Sequence, residues 1–141
     1  MTSVVIAREQ DLSVADYIDV VGATSLGPSR PLSDPDRIGR MLAGADLIVT
    51  ARRDGRCVGL ARGISDFSWV CYLGDLAVRP DQQGLGIGRR LLLACREILG
   101  DEVSIALLAL REARPFYDRV GPDLGLVATP DGYYWPRRRG A

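Results

Sequence analysis

The chain has 141 residues, 47% of them apolar, with 18 basic side chains against 18 acidic ones and no histidine. That length predicts a single domain spanning residues 1–141 with a real core and excludes two, and the charge balance offers no field of one sign to nucleic acid or a membrane surface. Without histidine there is no imidazole base, no Ser-His or Cys-His pair and no usual zinc ligand, so no metal is expected; no run approaches the ~18 apolar residues of a membrane span.

From the start of the chain, Val4-Val5-Ile6-Ala7-Arg8 reads as a strand, and Asp11 or Ser13 caps a helix to about Gly22 with Tyr17, Ile18, Val20 and Val21 on its apolar face. Residues 23–36, rich in Gly, Pro and Ser, form the longest irregular run and the expected substrate-facing loop. A short helix over 35–43 is entered at Asp34, with Pro35 in its first position. Strands over 47–52 and 56–64 flank Asp54-Gly55, a hairpin signal, and a turn at 66–69 leads to a strand over 70–78 that Pro80 stops. A helix from Gly86 to Leu99 follows, with Gly100 as its stop. The run 103–108 is apolar at nearly every position, as a central strand covered on both faces would be, and its helical connection predicts a parallel pairing with the strand before. Residues 113–120 read as a short helix ended by Gly121-Pro122, and strands over 124–128 and 133–135 flank Thr129-Pro130-Asp131-Gly132 as a closing hairpin. The order βααβββαβαββ is α+β: a mixed, mostly antiparallel sheet with helices on both faces.

Cys57, Cys71 and Cys95 sit in apolar runs without CxxC spacing, like small core residues in a reducing compartment, and Met1-Thr2-Ser3 leads straight into a strand without a signal peptide. The expected location is cytoplasmic. The run Arg137-Arg138-Arg139 is either a solvated terminus or a contact with an acidic partner or a cofactor phosphate.

The chemistry concentrates in one stretch. Gly84, Gly86 and Gly88 lack the Cβ that would hold a ligand off the backbone, and they feed a helix whose first amides have no partner within the chain. Aligned peptide dipoles make that an anion site suited to a phosphate or pyrophosphate. The Walker pattern fails, because Gly88 is followed by Arg89 and Arg90 rather than by Lys and a hydroxyl. A dinucleotide fingerprint fails too: the glycines fall at first, third and fifth places, past the middle of the chain.

The arrangement Gln83-x-x-Gly86-x-Gly88, between a Leu-Ala-Val strand and Arg-Arg-Leu-Leu, resembles the acyl-CoA loop of the GCN5-related N-acetyltransferase (GNAT) family, and the element order matches that family along nearly the whole chain. The resemblance implies acetyl-CoA as cosubstrate and direct acetyl transfer, in a ternary complex, to a primary amine of a small molecule or peptide; an acyl-CoA-binding or sensing module without catalysis is the alternative. It implies pantetheine contacts along the edge of Leu76, Ala77 and Val78, and phosphate contacts from the amides of Gln83, Gly84, Leu85, Gly86, Ile87, Gly88 and Arg89. Arg89 and Arg90 either contact phosphate oxygens or are solvated. The oxyanion would lie near the Val78 amide. With no histidine, a carboxylate or a water chain takes the amine's proton; Asp75, two positions from Ala77, is the candidate base, or else a surface acid or a contact for a cationic substrate. The run Ala113-x-x-Phe116-Tyr117-x-x-x-Gly121 resembles the family segment whose tyrosine protonates the CoA thiolate, which makes Tyr117 the candidate acid; the other reading is a core residue with a wet hydroxyl. Leu110 stands where the family often has an asparagine, and Pro122 where an aromatic is common. The acceptor is expected among Tyr17, residues 23–36, residues 66–69 and the strand over 133–135, and an exposed strand edge is compatible with a homodimer.

Overall fold

Local capping fixes where the first helices begin, in a computed structural model that describes residues 2–138. Ser13 accepts the Asp16 N–H at 3.1 Å and starts α1 (Val14–Gly22); Asp34 accepts the Arg37 N–H at 3.1 Å and starts α2 (Pro35–Ala43), with Pro35 where no amide partner exists to lose. Asp54 and Gly55 adopt φ of 52° and 78°, the left-handed pair that a two-residue hairpin needs. They join β2 (Leu47–Arg53) to β3 (Arg56–Ser65). With β1 (Val4–Arg8), β4 (Val70–Val78) and β5 (Ser104–Ala106) the sheet runs β1-β2-β3-β4-β5, antiparallel except for the parallel β4–β5 pair.

Helices cover both faces, giving the mixed α+β architecture that the sequence predicts. On one side α3 (Ile87–Leu99) and α4 (Arg114–Leu124) pack on Leu47, Val49, Ala51, Val58, Ala61, Cys71 and Leu73; on the other, α1 and α2 pack on Ile48, Cys57, Leu60 and Ala77. β4 changes sides within its own length. Gly63 lies opposite Leu73 and Arg62 opposite Asp75, so Gly74 is an extra residue and forms a β-bulge. Before it, Cys71 and Leu73 join the α3 core; after it, Leu76 and Val78 take that side while Ala77 joins the α1–α2 core. Unbroken alternation would have driven Asp75 into the apolar layer under α3.

Three expectations need correction. The strand expected over 103–108 is three residues long and lies at the sheet edge, with Leu108 58% exposed; the strand covered on both faces is β2, whose residues Leu47, Ile48, Val49, Thr50 and Ala51 are all buried. The apolar run does not extend the ladder because β5 leaves β4 after Ala106. The helix expected to stop at Gly121-Pro122 instead carries Pro122 inside α4 and closes at Gly125, φ 77°, where the Leu126 N–H donates to Gly121 O at 2.9 Å. Pro122 in this last turn removes a single helical hydrogen bond, to the exposed Asp118. Finally, the closing hairpin is not formed: residues 126–138 hold no strand, and Tyr133 and Trp135 are fully exposed. A turn sequence sets local geometry but supplies no ladder partner, and the three-residue β5 leaves little edge to extend. Arg137 and Arg138 are exposed, and Arg139 lies outside the described residues.

Candidate functional site

Between β4 and α3 the chain makes a short 3-10 turn over Pro80–Gln82, then passes Gly84 and Gly86 at φ of 79° and 80°. Side chains rarely adopt those angles, and a Cβ at either position would meet nothing within 4 Å, so both glycines serve backbone direction over open space. The amides of Gly84, Leu85, Gly86, Ile87, Gly88 and Arg89 have no partner among the described residues; the first helical bond runs from the Arg90 N–H to Gly86 O at 3.0 Å. Gln83 departs from the expected set, because its N–H already donates to Pro80 O at 3.3 Å and its side-chain amide donates to Val78 O at 2.9 Å. Arg90 reaches back to Val4 O at 3.1 Å, away from the turn, while Arg89 is exposed. Buried Arg79 anchors the entrance, donating from Nε to Cys57 O at 2.9 Å and from Nη2 to Asp19 of α1.

Beside this turn the sheet opens. Among the described residues β4 and β5 pair at Val70–Ser104, Cys71–Ile105 and Tyr72–Ala106, and from Leu73 onward none of them forms a strand on that side of β4. The Arg79 N–H bonds Val58 O while Val78 lies opposite Gly59; Val78 is therefore a position not bonded to β3, and its N–H and C=O point to the open side. Alternation puts Leu76, opposite Ala61, in the same state, whereas Ala77 spends its peptide groups on Leu60 of β3. Of the three expected edge residues, two present amides to the gap.

Gly88 has a different purpose from the other two glycines. A Cβ there would lie 2.9 Å from the Phe116 ring, so its bareness lets α4 lie against the first turn of α3. Phe116 meets Tyr117 edge to face, with ring centroids 5.0 Å apart. Tyr117 packs on the same core cluster as Leu76 and Val78, and its hydroxyl makes no hydrogen bond among the described residues. Burial pushes its phenol up to about 12, so it holds its proton at neutral pH and is available as a donor.

Asp75 is buried at the far side of the bulge, facing α1. Its Oδ1 accepts from Arg30 Nε at 2.6 Å; its Oδ2 accepts from Arg62 Nε at 2.5 Å and from the Tyr17 hydroxyl at 2.8 Å. Arg30 also donates to Gly74 O at 2.6 Å, tying the loop after α1 to the bulge. Burial and the Asp75 carboxylate together push the Tyr17 phenol far above its ordinary value. Tyr17 is thus a buried strut rather than part of an open acceptor surface. Arg30 and Arg62 escaped the sequence reading, although a signal existed: Arg62 and Asp75 are charged residues in mid-strand among apolar neighbours, and such residues are rarely buried unless they pair.

An amide-lined turn at a helix start thus lies beside a parallel strand pair that parts, an arrangement of one glycine loop and one opened sheet edge. Residues 15–121 match the Acetyltransferase (GNAT) family, and the chain belongs to that family. It is 33% identical over 88 residues to the "Uncharacterized N-acetyltransferase ycf52" of Porphyra purpurea, covering 58% of this chain and 48% of that protein. It is 27% identical over 121 residues to the "GCN5-related N-acetyltransferase 3, chloroplastic" of Arabidopsis thaliana, covering 84% of this chain and 47% of that one. The chain thus spans about half the length of these curated relatives. Among solved structures, a GNAT family acetyltransferase from Streptococcus pneumoniae TIGR4 superposes with TM-score 0.67 at 20% identity, covering 97% of this chain and 100% of that one. The aminoglycoside N-acetyltransferase AAC(6')-Iy in complex with CoA superposes with TM-score 0.73 at 18% identity, covering 98% and 97%. At these identities the structures show a shared fold.

Proposed function

We propose that the chain is an acetyl-CoA-dependent N-acetyltransferase that passes an acetyl group to a primary amine by direct transfer in a ternary complex. The observation that carries this reading is the row of six amides at residues 84–89 that have no partner among the described residues, beside the opened edge of β4. A diphosphate supplies the acceptors that those amides lack, and a pantetheine arm has amide groups to match the peptide groups of Leu76, since the Val78 C=O already accepts from Gln83 Nε2. The bound cosubstrate supplies an acetyl thioester. At the gap the Val78 N–H is placed to donate to a carbonyl oxygen as it gains charge, and the Tyr117 hydroxyl is the proton donor to the departing sulfur. Asp75 enters as a positioning residue, because taking a substrate proton would require it to give up bonds to Arg30, Arg62 or Tyr17. The amine's own proton leaves to solvent. Three buried thiols fit a reducing compartment; no helix among the described residues is long and apolar enough to cross a membrane, and the Arabidopsis relative is named chloroplastic.

Acetyl-CoA with a panel of amines should release free CoA thiol, and Tyr117→Phe should lower turnover about 100-fold while leaving CoA affinity in place. Unchanged turnover removes Tyr117 from the mechanism. Tight CoA binding without thiol release from any amine replaces the transferase by an acyl-CoA-binding or sensing module.

A further inference from the structure

The cluster around Asp75 holds two guanidinium groups and one carboxylate, so it carries one positive charge that no group in the cluster offsets. The two arginines are not equally committed. Every nitrogen of Arg30 has a partner: Asp75, Gly74 O or Ser29. Arg62 donates only through Nε; its Nη1 and Nη2 have no partner among the described residues, although the side chain is just 12% exposed. No buried side-chain nitrogen or oxygen among the described residues lacks a partner, so these two nitrogens of the mostly covered guanidinium face solvent, where they can take an acceptor.

Its position gives that acceptor a context. A Cβ on Gly74 would lie 3.1 Å from Arg62 Nη2 and 3.7 Å from the Tyr72 ring, so guanidinium and ring flank the bulge together. Tyr72 also makes the last β4–β5 pair before the strands part. Ile64 lies opposite Tyr72 in register, and Val70 is two residues from it, so all three share the face that carries Arg62; they are 53%, 43% and 43% exposed. The sheet therefore presents, at the mouth of the gap, an apolar platform with a half-bonded guanidinium at its inner end.

We propose that this is the acceptor subsite, and that the acceptor is an amine carrying a carboxylate and an apolar body, held by Arg62 with its apolar part on Ile64, Val70 and Tyr72. This rests on the transferase reading above. A carboxylate fits because it is planar, accepts from paired guanidinium nitrogens and cancels the single surplus charge, whereas a phosphate dianion would overshoot it.

The test uses the full chain with CoA, and calorimetry with 3-phenylpropionate, its uncharged amide and 2-phenylethyl phosphate. The propionate should bind at least about tenfold more tightly than the amide, as expected of a charge-assisted bond, and Arg62→Gln should abolish that difference while CoA affinity persists. Equal binding of acid and amide by the unaltered chain, tighter binding of the phosphate, or a preference that survives in a folded Arg62→Gln chain overturns the proposal. The comparison within the unaltered chain decides even where the variant fails to fold. Thiol release with phenylalanine against phenylalaninamide separates the two readings. Release without preference for the carboxylate sinks this inference alone, while a preference in binding with no release from any amine sinks the transferase and leaves the carboxylate site.

Discussion

The glycine turn and the Asp75 cluster lie at two ends of the same half of β4, and they handle polar groups in opposite ways. The turn leaves six backbone amides without a partner among the described residues, over open space where an added Cβ on Gly84 or Gly86 would meet nothing within 4 Å. The cluster buries a carboxylate and answers it three times over, with Arg30, Arg62 and Tyr17. Unmatched groups mark where something else binds, and matched ones mark what holds the frame. Asp75, the candidate base of the sequence, is held on three sides by Arg30, Arg62 and Tyr17, whereas Arg62, which the sequence did not single out, is bonded only through Nε.

The contrast can be broken from the cluster first. Asp75→Ala leaves two guanidinium groups beside an empty buried site and should cost about 3–5 kcal/mol of stability, read as a large drop in the denaturant midpoint; a loss below about 1 kcal/mol would show that the cluster is not holding the bulge. Gly88→Ala comes next. Its methyl meets the Phe116 ring, so either α4 shifts or the rings turn, at about 1–3 kcal/mol, and acetyl transfer should fall along with stability because Tyr117 moves with Phe116. Gly86→Ala should have the smallest effect on folding, about 1 kcal/mol for a side chain at φ 80°, yet it should weaken CoA binding because the new methyl fills open space beside the turn and strains its path. A Gly86→Ala chain that binds CoA as before would mean that the turn is not the cradle.

Much of the fold was legible because its signals are local. Ser13, Asp34-Pro35 and Asp54-Gly55 each set a boundary through bonds or dihedral angles within three residues; the last two are where the sequence places them, and the first is one of the two caps it offers, Asp11 or Ser13. Thr129-Pro130-Asp131-Gly132 carries comparable turn chemistry and fails, since strands on either side of it need a partner edge that β5 is too short to give. The run at 103–108 shows the limit of reading burial from hydrophobicity: the apolar residues are there, but whether both faces are covered depends on strand order, which no local pattern encodes. In the site, the loop from Gly84 was readable from its spacing, whereas the division of labour among its three glycines required knowing that Phe116 stands over Gly88. Which of Leu76, Ala77 and Val78 open to the gap depends on the pairing parity of β4 with β3.

That parity is set at Gly74. One residue, inserted without any side chain of its own, exchanges the lists of what faces each helical layer for the rest of the strand. Change in β4 is therefore tolerated unequally: a point substitution disturbs one neighbour, while removing or adding a single residue between Gly74 and Leu76 would turn the peptide groups of Leu76 and Val78 inward and hand the gap to Ala77.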